Sequence, residues 1–277
     1  GFAMRSHAAS GQIHVVEMDA ASVAAIQRWP WDREHYARVV ERLDEAGART
    51  IAFDVDFSTA SDREQDDRFA AALADANATV VLPVFGQRGS FAEKRQLDSL
   101  PIPQLRGHAL LGSVSVSPAS DGLVREMPIG TFNADAPRPS LSAQLAQRSG
   151  VADDDFLIDF SIQPDTLPRH SFIAVKMGEF DPATFAGKDV IIGATAIEMG
   201  DRYATPVHGV IPGVIIQALA AETLLDGVPV EIGWALPLLL AALFAYAIIA
   251  ARSRNRILVQ FGSGATLVFA LLHFGAS

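Results

Sequence analysis

The stretch Gly187-Lys188-Asp189-Val190-Ile191-Ile192-Gly193-Ala194-Thr195-Ala196 decides how the chain is read. Its apolar run, Val190-Ile191-Ile192, has no polar alternation, the pattern of a strand buried on both faces and hence of a parallel sheet covered by helices. Gly193 to Ala196 gives a tight exit. A loop carrying Asp201, Arg202, Thr205 and Pro206 follows, and Ile211-Pro212-Gly213 opens a helix with an expected apolar face of Val214, Ala218, Leu219 and Leu225. Pro212 suits a first helical turn, where its missing N–H has no partner to lose. Asp226-Gly227 closes the helix with a residue that accepts positive φ.

Working outward toward the N-terminus, the same grammar recurs. Ile13 to Met18 reads as a strand closed by Asp19, and Ser22 to Gln27 as a helical turn. Asp32 is placed to cap a helix with Tyr36, Val39, Val40, Leu43 and Ala46 on one face, and Gly47 stops it. Thr50 to Val55 is a second strand, so a βαβ unit results, which implies a right-handed crossover and parallel pairing. An acidic first turn from Asp62 starts another helix, with Phe69, Ala70, Leu73 and Ala74 as its expected buried face, and Thr79 to Phe85 is a third strand. Residues 86 to 108 read as an irregular excursion and Leu110 to Val116 as a fourth strand. Leu123 to Phe132 reads as the return arm of a hairpin turned at Asp121-Gly122. Ser140 caps a short helix, and Phe156 to Ile162 and Phe172 to Lys176 complete the elements. The fold class is therefore α/β, an αβα sandwich with a mostly parallel sheet, followed by transmembrane helices.

The transmembrane expectation comes from the far end of the chain. Residues 232–251 form an uncharged run of about twenty, enough to cross a hydrocarbon core of roughly 30 Å as a helix. Residues 257–274 form a second. Arg252, Arg254 and Arg256 between them place the loop 252–256 in the cytoplasm by the positive-inside rule, and hence residues 12–227 outside it. Residues 1–11 show neither a basic nor an apolar leader pattern and are expected to follow a span that is missing.

Of 277 residues none is cysteine, which rules out disulfides and thiolate chemistry. A net charge of -10 argues against nucleic acid as a partner. The histidines lack zinc-ligand spacing, and neither a nucleophile elbow nor a phosphate-binding glycine loop is present. No catalytic residue is assigned. Candidate ligand-binding residues are those at predicted strand ends, where open parallel sheets bind ligands: Asp19, Asp54, Asp56, Thr195 and Asp201. Arg202 and Arg33 join them as neighbouring charges, and Trp31, in Trp29-Pro30-Trp31, as a surface for a ring-bearing ligand. Oxygen donors of this kind suit a hard divalent cation; no other cofactor is expected, and the metal, if any, is unassigned. The structural alternative for the same residues is that Asp54 and Asp201 cap loops, Asp19 pairs with Arg33, and the tryptophans pin the chain onto the core.

The succession of Asp19, Trp29-Pro30-Trp31 with Arg33, Gly47-Ala48, Ala52-Phe53-Asp54, the Asp66 helix, Gly187-Lys188, Gly193-Ala194-Thr195, Asp201, Thr205-Pro206 and Pro212-Gly213-Val214, ahead of apolar spans, resembles the second type of CHASE domain, the cyclase and histidine-kinase associated sensory extracellular domain. The resemblance implies a bacterial inner-membrane, multi-pass receptor with a periplasmic sensor at 12–227, acting as a homodimer on an unknown stimulus. Its cytoplasmic output would be a nucleotide cyclase, a cyclic-di-GMP enzyme or a histidine kinase. The chain lacks the first span, a third later span and any output module, so it reads as a fragment of such a receptor and not itself an enzyme. Pro212, Gly213, Glu222 and Gly227, on the helix that leads to the membrane, are the candidate coupling residues. A membrane-anchored metal-dependent hydrolase or transferase, or a structural dimerisation module, is the alternative.

Overall fold

The computed structural model describes residues 6–88, 96–133, 136–152, 154–229 and 235–250. In chain order the elements are β1 (Ile13–Met18), α1 (Ala20–Ile26), α2 (Arg33–Glu45), β2 (Thr50–Asp54), α3 (Arg63–Asp75), β3 (Thr79–Arg88), β4 (Gln96–Ser99), α4 (Pro103–Arg106) and β5 (Leu110–Ser113). Then come β6 (Glu126–Pro128), β7 (Gly130–Asn133), β8 (Ala136–Pro139), α5 (Leu141–Leu145), β9 (Asp155–Leu157), β10 (Arg169–Ser171) and α6 (Phe172–Met177). The last are β11 (Asp189–Ala194), β12 (Arg202–Thr205), β13 (Gly209–Pro212), α7 (Gly213–Asp226) and α8 (Ala235–Ala250). Residues Ser6–Pro229 form one compact unit, and α8 belongs to another.

In the first unit, β10, β1, β11, β2, β3 and β5 lie side by side in that order and pair in parallel, while β4 runs antiparallel along the far end of β3. The last parallel strand, β11, is thus inserted between the first two. Each strand divides its side chains between two cores, as a period of two requires. Val190 and Ile192 point with Ile51 and Phe53 into a layer closed by α2, α3 and α6. Ile191 and Ala52 point into a layer closed by α5 and α7. In the first layer Tyr36 meets Phe53, Phe57, Phe69 and Phe172 at ring-centroid distances of 5.2–6.2 Å. Such offset and edge contacts are the favoured aromatic geometries.

The three-layer α/β expectation holds, and its details need four corrections. Residues 86–108 contain β4 and α4. Leu123 to Phe132 is not the return arm of β5: its β6 pairs with β9 and its β7 with β8, both antiparallel, because the pairing partners lie later in the chain. Ala74 is exposed, and α3 instead buries Asp66, whose carboxylate takes Arg33 Nε at 3.3 Å. Lastly, α7 has no apolar stripe. All its residues from Gly213 to Leu224 are buried, since it lies between the sheet and the α5 segment, and a helix covered all round needs no single apolar stripe.

Among the described residues no helix is long and apolar enough to cross a membrane. The 16-residue α8 occupies most of the first apolar run, 232–251. The loop 252–256 and the second run, 257–274, lie outside the described residues.

Candidate functional site

The parallel sheet brings the carboxyl ends of β1, β11 and β2 to one edge, and a cavity of about 260 Å³ opens there. Its floor includes Met18 and Ala194, the last residues of β1 and β11, and Asp54, the last of β2. Trp29 and Phe85 form apolar walls, and Asp201, Tyr203 and Gln217 supply polar groups from β12 and its approach and from α7. Val114, Val116, Phe85 and Tyr203 also line an adjoining cavity of about 340 Å³ that runs toward Ser115 and Ser117.

Two glycines make this arrangement possible. Gly193 of β11 stands opposite Asp54 in the parallel register. A Cβ on it would come within 2.7 Å of the Val214 side chain and 3.2 Å of Asp54 Cβ, so only a residue without one lets α7 start against the sheet beside the carboxyl group. Gly213 opens α7, and a Cβ there would lie 2.8 Å from Asp201 Cγ and overlap the carboxylate oxygens. Gly213 N–H donates to the Asp201 carbonyl at 3.1 Å. The Asp201 side chain therefore lies against the first turn of α7, where the partial positive charge of a helix N-terminus favours an anion.

The electrostatics of the pocket are unbalanced. Burial, and next the charge of Asp201, push the Asp54 carboxyl up to about 8. Asp201 is itself raised by burial, against a hydrogen bond from the Tyr203 hydroxyl that favours its charged form. The Tyr203 phenol is pushed up to about 12 by burial and then by the two carboxylates. Gln217 is 1% exposed, and its Nε2 donates to the Val114 carbonyl at 3.2 Å, while its Oε1 has no partner. Two acids pushed upward by burial, one of them also by the charge of the other, in a cleft are a physical mark of a functional site.

Of the residues proposed from sequence, Asp54, Asp56 and Asp201 line this cavity. Asp56 is exposed and accepts from Ser58 N–H at 2.8 Å. The others are placed elsewhere. Asp19 caps α1, accepting from the backbone N–H of Ser22 at 2.9 Å and from the hydroxyl of Ser171 at 3.0 Å. It does not pair with Arg33, which is buried against Asp66, donates to the Thr59 carbonyl at 2.7 Å and lies 4.8 Å above the Phe57 ring. Trp31 is buried in the aromatic core, 5.0 Å from Phe172, whereas Trp29 is 58% exposed and lines the pocket. Thr195 and Ala196 spend their N–H groups on the Met18 carbonyl, at 3.3 and 3.2 Å, and Thr195 is not among the residues that line the cavity. Arg202 is exposed and donates to the Val210 carbonyl. Among the described residues no group of three or more His, Asp or Glu side chains is placed to hold a metal ion.

The coupling candidates all lie on or beside α7. Pro212 is its N-cap, Gly213 touches Asp201, and Gly227 closes it at φ +114°. Glu222 is fully buried and accepts from the backbone N–H groups of Ser10 at 2.8 Å and Ile13 at 3.4 Å, which ties the lead-in to β1 onto α7. Tyr203 and Gln217 escaped the sequence reading. Gln217 did leave a trace there, as the one strongly polar side chain in the run Gly213 to Ala221.

The three-layer domain has its pocket at the carboxyl edge of the sheet, the edge at which open parallel α/β folds bind their ligands. A family model, that of the CHASE2 domain, matches residues 1–251. The chain belongs to the CHASE2 domain family, whose members are extracellular sensory domains rather than catalysts. Comparisons with curated proteins and with solved structures returned no match.

Proposed function

We propose that this chain is the input region of a bacterial transmembrane receptor. In this reading residues 12–227 lie outside the cytoplasm and take up a small molecule at the carboxyl-edge pocket. The helix α7 passes the change through Val228-Pro229 to membrane segments at 232–251 and 257–274, and a cytoplasmic cyclase, cyclic-di-GMP enzyme or histidine kinase reads it as part of a homodimer. The observation that supports this best is the contact between Gly213 and Asp201, which puts the first turn of α7 against a pocket acid. A ligand that binds one position of Asp201 better than another biases the position of α7, and only such differential affinity can drive a switch. Glu222 gives a second attachment, because a displaced α7 carries the chain ahead of β1 with it.

The test is Gly213→Ala in a receptor carrying its output module. The added Cβ forces the Asp201 carboxylate away, so the basal output should change at least about threefold while the amount of receptor in the membrane stays the same. Unchanged output at equal abundance contradicts the coupling route. A second reading, a hydrolase with Asp54 and Asp201 as acid and base, draws on the burial that favours the protonated form of both carboxyls and would show turnover lost in Asp54→Ala. The sensory character of the family favours the receptor.

A further inference from the structure

The ionisable side chains that line the pocket are all acidic among the described residues. Asp54, Asp56 and Asp201 line it, and no Lys, Arg or His stands among the described residues that do. The Tyr203 hydroxyl is engaged with Asp201. Gln217 uses its amide N–H on Val114 and leaves a buried, unpartnered Oε1 at the pocket. A buried acceptor without a partner costs about 1–3 kcal/mol, so the site favours a ligand that brings donors. The helix end offers no compensating positive charge, because Asp201 already lies against it. The remaining wall is apolar, with Trp29 largely exposed beside Phe85 and Met199.

We propose that this pocket binds a small organic cation, whose ammonium head is met by Asp54, Asp201 and Gln217 Oε1 and whose apolar part lies along Trp29 and Phe85. The proposal rests on the sensor reading above and names the chemical class of its stimulus. A carboxylate or phosphate ligand would face three acids with no counter-charge. A hard divalent ion needs about six to eight oxygens, and the described residues offer no group of three acidic or imidazole ligands. An ammonium group needs fewer partners, and aromatic faces add attraction for it.

Binding should be linked to protons. The titratable groups facing the pocket are Asp54 from β2, Asp56 just after it, and Asp201 and Tyr203 from β12 and its approach; β1, β11 and α7 contribute Met18, Ala194, Gly213 and Gln217, none of which titrates. With Asp54 held at about 8, a permanently charged cation should gain about tenfold in affinity between pH 7 and pH 9 as that carboxyl ionises.

The experiment is titration calorimetry on the full chain in detergent micelles with choline, tetramethylammonium, putrescine and benzylamine. It includes the neutral isosteres 3,3-dimethyl-1-butanol and benzyl alcohol, as well as benzoate and calcium chloride. At pH 8 at least one ammonium compound should bind with Kd below about 1 mM and at least about tenfold tighter than its neutral isostere. Asp201→Asn should weaken it about tenfold, and Asp54→Asn should abolish the dependence of choline affinity on pH. Both variants are isosteric, and unchanged melting of either confirms that the comparison is made on folded protein. Absence of binding by every ammonium compound, or tighter binding of a neutral compound, benzoate or calcium, overturns the proposal. If one of those binds and shifts the receptor's output, the sensor reading stands without the cation. If an ammonium compound binds as expected and the output does not move, the cation site stands and the sensor reading falls.

Discussion

Two enclosed carboxylates stand at opposite ends of the same central strands, and their surroundings differ. Asp189, at the start of β11, is fully buried and held by Arg49 through Nε at 2.9 Å and through Nη2, with Gln12 Nε2 at 3.3 Å. Asp54, at the end of β2, has a second carboxylate for a neighbour, and its own group is pushed up to about 8. Both lie in one sheet, four residues apart along the same pair of strands, since Asp189 stands opposite Thr50 and Gly193 opposite Asp54. A sheet that pairs the acid at one end with a cation and leaves the acid at the other without one is held together at the first and prepared for something at the second. Proteins tolerate such local conflict chiefly at functional sites.

Substitutions can break this contrast or sharpen it. Asp189→Ala should have the largest effect, a loss of about 2–3 kcal/mol in denaturant unfolding, below the full cost of breaking a buried pair because Arg49 stays 43% exposed. Asp54→Asn should act with the opposite sign, a gain of about 1–2 kcal/mol at pH 9, because it removes a charge the fold disfavours. The gain should shrink as pH falls below about 8 and vanish near pH 4. The sign follows from the raised group: the folded state holds a proton on Asp54 that the unfolded chain releases above about 4, so its stabilising contribution is lost as pH rises through about 8.

A third expectation concerns the other side of the pH range. His14 stacks on His170 with ring centroids 5.2 Å apart, and burial, then the charges of His170 and Lys188, hold it down to about 4. The unfolded chain then takes up a proton between about 6.5 and 4 that the folded one refuses, so stability falls with falling pH across that window. Measured against His14→Leu, the protein should lose about 1 kcal/mol of stability between pH 7 and pH 5.5, set against the opposite change that Asp54 brings in the same window. The smallest effect is expected for Asp56→Asn. Its carboxylate is exposed and only turns back on Ser58, so melting should move by less than about 0.5 kcal/mol and the alkaline slope should persist. A large response there would mean that the acid pair extends to Asp56.

The parts of this contrast that were legible from sequence are those set by local pattern. Apolar runs such as Val190-Ile191-Ile192 identify strands buried on both faces, and parallel strands put the residues that follow them on one edge. Asp54 and Asp201 were therefore found together. What depends on distant pairing was not legible. The insertion of β11 between β1 and β2, the β12–β13 hairpin that carries Tyr203, and the β6–β9 pair join segments that bear no local mark of their partners. The Arg33–Asp66 pair was hidden for the same reason, since an acidic first turn reads as a helix start whether or not one of its acids is buried. Gln217 was hidden by the helix itself: in an element covered on every side no periodicity separates a pocket-facing residue from a core one.

The most direct measurement is the ionisation of Asp54 itself, followed through its side-chain carboxyl carbon by NMR in the full chain labelled at aspartate, with Asp54→Asn to assign the signal. A midpoint near 8 is expected, moving down when choline is added to saturation. A midpoint near 4, the ordinary carboxylate range, would mean that Asp54 is solvated or already neutralised, and would contradict the claim that the carboxyl edge of this sheet is a site waiting for a cation.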